Sequence, residues 1–341
     1  MNHERFAEIT RRYAQLRIGV VGDFCLDRYL EIDPSRAEPS IETGLPVYNV
    51  VRVRSQPGAA GTILNNLVAL AVGSIYAVGF CGEDGEGFEL CHALGQQPGV
   101  KLDHFISTPL RRTFTYCKPL VMESGQPPRE LNRLDSKNWT ATPDELQREM
   151  AQRIEKLAEQ VDVLILMDQV DIPQTGVVTR LVAEAAHAAV RKRPELLVLA
   201  DSRRGLAEFP PLGFKMNAAE LAKFSGNAST EVVEIRRQVT ELARRHAQPV
   251  FVTLAERGMV GALGSQAAEH VPSHAVRGPI DIVGAGDSVT ANLAAALAAG
   301  ASASEAMQLA MAAASLVIHQ LGTTGTANVR EMAGLLGFAG G

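Results

Sequence analysis

The chain alternates short apolar runs with longer segments of helical periodicity, and this alternation constrains its fold more than any other feature. The apolar runs predict buried strands at residues 17–23, 74–80, 161–168, 195–201 and 249–255. The segments between them predict helices at about 58–71, 84–96, 143–158, 173–191 and 229–247. Helices that connect parallel strands cover both faces of a sheet. The sequence therefore predicts an α/β fold with a doubly wound, mostly parallel sheet flanked by helices.

Two segments, residues 28–56 and 111–136, depart from this alternation. They contain "LPVYNVVRVRS" and "TFTYCKPLV", in which apolar and polar residues alternate without an intervening helix. Such alternation is typical of half-exposed antiparallel strands. Because both segments are inserted into the α/β pattern, they predict a small β lid over one end of the main sheet. The prediction is a single domain spanning residues 1–341, with this lid inserted.

Composition excludes several classes of protein. The chain has 341 residues, a net charge of −5, 46% hydrophobic and 21% charged residues, which disfavours a nucleic-acid partner. Four cysteines are scattered without a CxxC pair, so neither a zinc site nor a disulfide framework is expected. We find no apolar run long enough to cross a membrane. These features predict a cytoplasmic protein with no membrane partner.

The stretch "DIVGAGDSVT", residues 281–290, combines glycines with aspartates immediately before an Ala-rich helical run. Gly284 and Gly286 allow several backbone N–H groups to converge at the helix N-terminus, which is a natural anion site. Asp287 would lie beside the anion and could accept a proton from an attacking hydroxyl. A tight turn followed by a favourable helix-terminal charge explains the same pattern equally well. Neither a Walker A motif nor GxGxxG is present.

Six stretches, in order along the chain, resemble the motifs of the PfkB/ribokinase family of sugar kinases. They are "VVGDFCLDRY" (20–29), "PGAAGTILNNLVAL" (57–70), "KMNAAE" (215–220), "VTLAERGMVG" (252–261), "DIVGAGDSV" (281–289) and "AAASLVIHQLGTTG" (312–325). Within the family, the first stretch and "RRTFTYCKPLV" most resemble the kinase half of the bifunctional heptose-7-phosphate kinase/nucleotidyltransferases. The resemblance implies a ribokinase-like fold and a carbohydrate kinase that uses ATP and Mg²⁺.

The resemblance also implies roles for individual residues. Asp287 would be the general base, the amides of Ala285, Gly286 and Asp287 would stabilise the transferring phosphoryl group, and Gly284 would permit the turn. Asn217 and Glu220 would order Mg²⁺ through water, although their spacing equally fits a helix capping box. The implied acceptor-binding residues are Asp23, Asp27, Gly58, Asn65, Asn66, Arg133 and Asp168. The implied nucleotide-binding residues are Asn217, Glu220, Thr253, Glu256, Gly258 and His319.

Some of these assignments have alternatives. His319 lies in an apolar helix and fits a packed histidine better than a catalytic one, though it could contact adenine. Asp201 and Arg203 follow a strand, and their pattern fits either contact with the nucleotide or a surface turn. A monovalent cation such as K⁺ behind the anion loop is left open.

The chain departs from the family mainly on the acceptor side. Ile282 replaces the usual Thr of the signature, and Ala255 replaces a Gly in the nucleotide loop. Pro57 and Gly61 replace the first Gly and the sugar-contacting Asn of the glycine-rich motif. We interpret the chain as a working kinase of a small sugar or sugar phosphate with an altered acceptor, and as a homodimer joined through the lid. The alternatives are a kinase of nucleosides or other small alcohols, and a catalytically silent sugar- or nucleotide-binding regulator.

Overall fold

A computed structural model describes residues 1–338, so the last three residues of the predicted domain lie outside the described residues. Within this range the strands, in chain order, are β1 (Arg17–Gly22), β2 (Phe24–Ile32), β3 (Glu38–Pro39), β4 (Pro46–Val47), β5 (Val50–Ala59), β6 (Ser74–Gly82), β7 (Val100–Thr108), β8 (Thr115–Val121), β9 (Arg129–Glu130), β10 (Leu134–Ser136), β11 (Val163–Asp168), β12 (Leu197–Ser202), β13 (Gly213–Asn217), β14 (Val250–Thr253), β15 (Met259–Ala262) and β16 (Glu269–Val271).

The helices pack around these strands. They are α1 (His3–Arg11), α2 (Ala60–Ala69), α3 (Gly85–Gly95), α4 (Asp144–Ala158), α5 (Arg180–Lys192), α6 (Ala218–Ser225), α7 (Val232–His246), α8 (Ala285–Ala298), α9 (Ala303–Val317) and α10 (Val329–Leu335). The helix predicted from residue 173 begins later, because the Thr179 side chain caps α5 by accepting the N–H of Val182. The preceding residues form a loop.

Nine strands form the main sheet in the order β16-β15-β14-β13-β12-β11-β1-β6-β7. The strands from β14 through β7 pair in parallel, whereas β15 and β16 add an antiparallel edge. The predicted α/β fold with a doubly wound, mostly parallel sheet is confirmed. Strand order reverses between β1 and β11, and ligands of such sheets bind where the order reverses, beyond the carboxyl ends of the strands.

Apolar side chains fill both faces of the main sheet. One core packs the sheet against α2, α8 and α9, and the other packs it against α4, α5 and α7. Strands covered on both sides explain why the sequence showed continuous apolar runs there instead of alternation. Across residues 1–338, no helix combines the length and apolarity needed to span a bilayer.

A second sheet is built from the two segments for which the sequence predicts a lid. Its strand order is β10-β8-β2-β5, and β9 pairs with β8. The expectation of antiparallel strands holds for β2 with β5 and for β8 with β10, but β2 and β8 run parallel. They do so because the chain forms β6, α3 and β7 of the main layers before it returns to the lid. The lid starts at β2, one residue after the central strand β1.

Candidate active site

The N-terminus of α8 carries the sequence "GAGD" at the edge of the main sheet. Gly284 precedes the helix with φ of 80°, a left-handed conformation that glycine adopts without steric cost. Asp287 lies in the first turn, where a negative charge is favoured by the helix dipole. Burial raises the pKa of the Asp287 carboxyl to about 7; Asp201 and Asp27 raise it too, while Lys215 opposes them. A carboxyl with this pKa can exchange a proton near neutral pH.

A buried ion pair lies beside this turn. The Lys215 Nζ atom donates to Asp201 Oδ2 at 2.8 Å, and Lys215 is only 7% exposed. The Thr290 hydroxyl of α8 donates to the same carboxylate oxygen at 2.9 Å. Burial alone would lower the pKa of Lys215, but the Asp201 carboxylate raises it overall, so the ammonium stays charged. The pair therefore joins strands β12 and β13 to α8.

Asp27 lies in the lid strand β2, close enough to Asp287 to influence its pKa. It is 5% exposed, and its Oδ1 accepts a bond of 2.8 Å from Lys118 Nζ on β8. The Lys118 ammonium also lies 4.8 Å from the centre of the Tyr29 ring. A Cβ atom at Gly58 would collide with the second Asp27 oxygen, so glycine gives the carboxylate its room. This corner therefore presents an ion pair beside the candidate base.

The lid contacts the loop between α9 and α10, near the predicted anion site. The Gln56 side chain on β5 donates to the Thr324 hydroxyl at 3.0 Å. The Thr324 Cβ atom in turn lies 3.5 Å from the position that a Cβ of Gly284 would occupy. A hydrogen bond thus connects the lid to the loop that follows α9, and this loop lies beside the turn before α8.

Asn217 and Glu220 form the capping box that the sequence offered as an alternative. The Asn217 Oδ1 accepts the N–H of Glu220 at 2.9 Å, and Glu220 Oε2 accepts the N–H of Asn217 at 2.7 Å. Asn217 ends β13, the strand that also carries Lys215. Burial raises the pKa of Glu220, and Asp201 raises it further. The pair is rigid and places hard oxygen atoms beside the ion pair of Lys215.

Thr253 ends β14, and the loop that follows holds Glu256 and Gly258; all three are among the predicted nucleotide-binding residues. Gly258 has φ of 93°, and a Cβ there would collide with the backbone of the neighbouring strand β16. Ala255 has φ of 53°, a left-handed conformation that favours the glycine which the family motif carries at this position. The backbone at position 255 therefore has the conformation that glycine favours, although alanine occupies the position.

His319 has both ring nitrogens engaged within the protein. Its Nδ1 bonds the carbonyl of Ser315 at 2.6 Å, and its Nε2 accepts the N–H of Arg277 at 3.1 Å. This pattern corresponds to a neutral ring that fastens the 277–283 loop to the end of α9. His319 is thus packed as the alternative describes, and its contact with adenine stays a prediction.

Three predicted acceptor residues have side chains with hydrogen-bond partners inside the protein, and their role in acceptor binding stays a prediction. Asp23 accepts the N–H groups of Gln169 and Val177 at 2.8 and 2.7 Å, so its carboxylate shapes the loop before α5. Asn66 is fully buried in α2 and donates to the Thr62 carbonyl of its own helix. Asp168 is fully buried and accepts bonds from Ser202 and Arg204 at 2.7 and 2.8 Å. Local spacing could not reveal these internal partners.

We predict that Asp168→Asn weakens the pH dependence of stability. Burial raises the pKa of Asp168 to about 7, and Asp23 raises it further, against the effect of Arg204 and Ser202. The folded state then binds a proton more tightly than the unfolded state, so this contribution to stability falls as pH rises from about 4 to about 7. The substitution should narrow the difference in Tm between pH 5 and pH 8 by about 2–4 °C.

Thermal unfolding of both proteins at the two pH values measures this effect. Asp144→Asn, which removes an exposed carboxylate at the start of α4, is the control and should leave the difference in place. An unchanged difference in Asp168→Asn would contradict the prediction.

Two further acceptor residues lie on the lid side. The Arg133 guanidinium stacks on the Tyr116 ring at 4.6 Å and pairs with Asp135 at 2.6 Å, so it remains at the rim. Asn65 donates to the Pro57 carbonyl at 3.2 Å, and its buried Oδ1 has no hydrogen-bond partner within residues 1–338. A Cβ atom at Gly61 would collide with the Pro57 ring. The two departures in the glycine-rich motif are therefore coupled, because the proline occupies the space of a larger side chain.

The sequence did not single out Lys118 or Lys215. A signal exists for Lys215, since "LGFKMN" (212–217) is an otherwise apolar strand interrupted by one charged residue. Lys118 had no such signal, because a lysine in an alternating strand is usually a solvated one. Among residues 1–338, no group of three or more His, Cys, Asp or Glu side chains is arranged to hold a metal ion. A metal site here would depend on few protein ligands.

Comparisons with known proteins agree with this geometry. A bifunctional protein HldE from Rhodospirillum rubrum is 34% identical over 336 residues, which cover 93% of this chain and 62% of that protein. HldE of Gluconacetobacter diazotrophicus is 30% identical over 322 residues, covering 94% of this chain and 63% of that protein. The chain therefore spans less than two thirds of the length of these curated relatives.

Solved structures show the same fold. Ribokinase of Arabidopsis thaliana, complexed with ribose and ATP, superimposes with a TM-score of 0.67 at 22% identity, covering 95% of this chain and 99% of that one. Phosphofructokinase-2 of Escherichia coli, complexed with fructose-6-phosphate, gives 0.68 at 18% identity, with the same coverage. The predicted ribokinase-like fold is thus confirmed. The model of the pfkB family carbohydrate kinases matches residues 24–329. The chain therefore belongs to the pfkB family of carbohydrate kinases.

Proposed function

We propose that this carbohydrate kinase transfers the γ-phosphoryl group of ATP to a hydroxyl of a small sugar or sugar phosphate. One observation carries the proposal: the Asp287 carboxyl, with its pKa raised to about 7, lies at the N-terminus of α8 and near Asp27 of the lid. An anion site and a general base are what phosphoryl transfer to an alcohol uses, and the lid carboxylate can position the acceptor.

In the proposed reaction, the ionised Asp287 carboxylate accepts the proton of the acceptor hydroxyl. The hydroxyl oxygen forms a bond to the γ-phosphorus while the bond between that phosphorus and the oxygen of the leaving ADP breaks. The backbone N–H groups of residues 285–287 stabilise the negative charge on the transferring group. The Asp27 carboxylate accepts a hydrogen bond from a second hydroxyl and orients the acceptor.

Asn217 and Glu220 fit a site for Mg²⁺ held through water. Mg²⁺ prefers hard oxygen ligands and retains several waters, and the capping box presents carboxylate and amide oxygens at the end of β13. When bound, the ion would neutralise charge on the nucleotide phosphates. Its waters would be held by Glu220, whose Oε2 already anchors the capping box. A monovalent cation behind the anion loop stays a prediction.

In the proposed reaction the lid excludes water from the site. Its exposed apolar surface also supports the formation of a dimer. Lid strand β5 carries exposed Val51 and Val53, and the neighbouring loop exposes Ile41 and Tyr48. Exposed apolar strand edges pair readily with another chain. We infer that two copies associate through this surface. Sedimentation equilibrium of the wild-type protein and of Val51→Glu/Val53→Glu tests this inference. If both proteins were monomeric, the inference would be contradicted.

A screen of acceptors tests the function. Release of ADP from Mg·ATP is measured by a coupled assay with free sugars, sugar phosphates, nucleosides and no acceptor, and ³¹P NMR identifies the product. We expect at least one sugar or sugar phosphate to be phosphorylated well above the hydrolysis of ATP alone. Turnover confined to nucleosides would favour the small-alcohol kinase. Ligand binding without any turnover would favour a silent regulator.

A further inference from the structure

The Lys215 ammonium faces the N-terminus of a helix, where a positive charge costs free energy unless an anion lies beside it. Lys215 Nζ lies 3.1 Å from the point where a Cβ of Gly286 would sit, so it faces the first turn of α8. The N-terminus of a helix carries partial positive charge, which repels a cation there. Lys215 is buried, so solvent screens this repulsion little.

The ion pair with Asp201 fixes the ammonium at this point. Asp201 Oδ2 accepts bonds from both Lys215 and the Thr290 hydroxyl, and Thr290 belongs to α8 itself. The carboxylate thus ties the lysine to the same helix whose N-terminus holds the glycine turn. Because a buried pair carries a large desolvation penalty, this arrangement alone is weak evidence of stabilisation. A function that needs a charge fixed at this point explains the buried pair of Lys215 and Asp201 better than a gain in stability does.

The position of Lys215 between two other groups indicates what the charge faces. Lys215 lies on β13 two residues before Asn217, whose capping box includes Glu220, and its Nζ lies 3.1 Å from the Cβ point of Gly286, the residue before Asp287. On the proposed function, Asp287 marks where the acceptor attacks, and Glu220 marks the phosphate end of the nucleotide. The Lys215 ammonium, between Asp287 and Glu220, is located where the phosphoryl group passes from the nucleotide to the acceptor.

We propose that Lys215 is a catalytic residue that contacts the transferred phosphoryl group, held in place by Asp201 as a positioning residue. This inference rests on the proposed kinase function. The ammonium adds a full positive charge to the N–H groups at the start of α8, and it moves little during the reaction because Asp201 holds it. A preorganised charge of this kind stabilises the transition state more than the ground state.

Lys215→Met tests the contact, since methionine keeps the length of the side chain and removes the charge. We expect kcat to fall at least tenfold. Because this variant leaves Asp201 buried without its partner, the double variant Lys215→Met/Asp201→Asn removes both charges and should fold. It should show the same loss, while Lys215→Arg should restore part of the activity. Lys223→Met, on the exposed side of α6, is the matched control and should retain wild-type kcat.

Nucleotide affinity gives a readout that a structural role would not change. Calorimetry with Mg²⁺ present compares ADP with AMP-PNP, which carries a γ-phosphoryl group. The double variant should lose several-fold in affinity for AMP-PNP and little for ADP. In the single variant Lys215→Met, which keeps Asp201, the acid limb of the pH–kcat profile should move to higher pH, because Asp287 would lose the charge that opposes Asp201 and Asp27.

Parallel measurements on Asp287→Asn separate the proposed role of Lys215 from the proposed kinase mechanism. If Asp287→Asn is inactive while the double variant has wild-type kcat and unchanged AMP-PNP affinity, the role of Lys215 is wrong and the kinase mechanism stands. If Asp287→Asn keeps wild-type activity, the proposed mechanism itself is wrong. Equal losses of ADP and AMP-PNP affinity in a folded double variant would also overturn the contact with the transferred group.

Discussion

Asp287→Asn is expected to lower kcat for the best acceptor by about 10²–10⁴-fold, the usual contribution of a general base. Asparagine has nearly the same shape as aspartate but cannot take the proton from the hydroxyl. The KM for ATP should change little, because the N–H groups at the start of α8 remain. Steady-state kinetics of the coupled assay, with circular dichroism to verify folding, measures the effect.

The pH profile of the wild-type enzyme provides a second measure of the same group. The base must be ionised to act, and the pKa of Asp287 is raised to about 7. Activity should therefore fall as pH drops through about 7, and rise to a plateau above it. Asp281→Asn is a matched control in the same loop, because asparagine keeps the oxygen that accepts the N–H of Val283. Its kcat should stay near wild type, and equal losses in both variants would remove Asp287 from the role of base.

Asp27→Asn is expected to lower kcat/KM for the acceptor by about 10–150-fold with the KM for ATP unchanged. A hydrogen bond to a charged group contributes about 1.5–3 kcal/mol, which corresponds to this range. The carboxylate is nearly buried and paired with Lys118, so it is both desolvated and fixed in direction. Initial rates over a matrix of acceptor and ATP concentrations separate the two KM values.

A double-mutant cycle shows whether Lys118 acts through Asp27. Lys118→Met alone leaves the Asp27 carboxylate without its partner, whereas the double variant with Asp27→Asn removes both charges. We expect the double variant to lose less than the product of the two single losses. Lys137→Met is the control, because Lys137 is another lid lysine with a carboxylate partner, Asp171 at 2.8 Å. A large rise in the KM for ATP in Asp27→Asn would place Asp27 on the nucleotide instead.

The α/β architecture could be predicted because its signals are local. Strand β11, predicted at 161–168, forms at Val163–Asp168, and α4, predicted at 143–158, forms at Asp144–Ala158. In each, the apolar pattern agrees with the backbone preference and with burial. The start of α5 was misplaced because the amides of the loop before it bond to Asp23, which is distant in the sequence. Contacts of this kind leave no local periodicity.

The features of the candidate site also divide into those set by local sequence and those set by distant contacts. The sequence by itself determined the glycine turn with Asp287 at its helix, since both lie in one uninterrupted stretch. It equally determined the capping box of Asn217 and Glu220, which depends on a spacing of three residues. These features are set by the backbone over one turn of helix, so neighbouring residues are enough to specify them.

Only the tertiary structure decided which charged groups meet. Lys118 pairs with Asp27, and Lys215 with Asp201, because separate strands deliver each partner to the same edge of a sheet. It also decided that Asp23 and Asp168 turn inward, although Asp23 follows β1 and Asp168 ends β11, strands whose carboxyl ends face the predicted ligand side. The free energy of a buried charge depends on the partners and the solvent around it, and these exist only once distant segments have packed together.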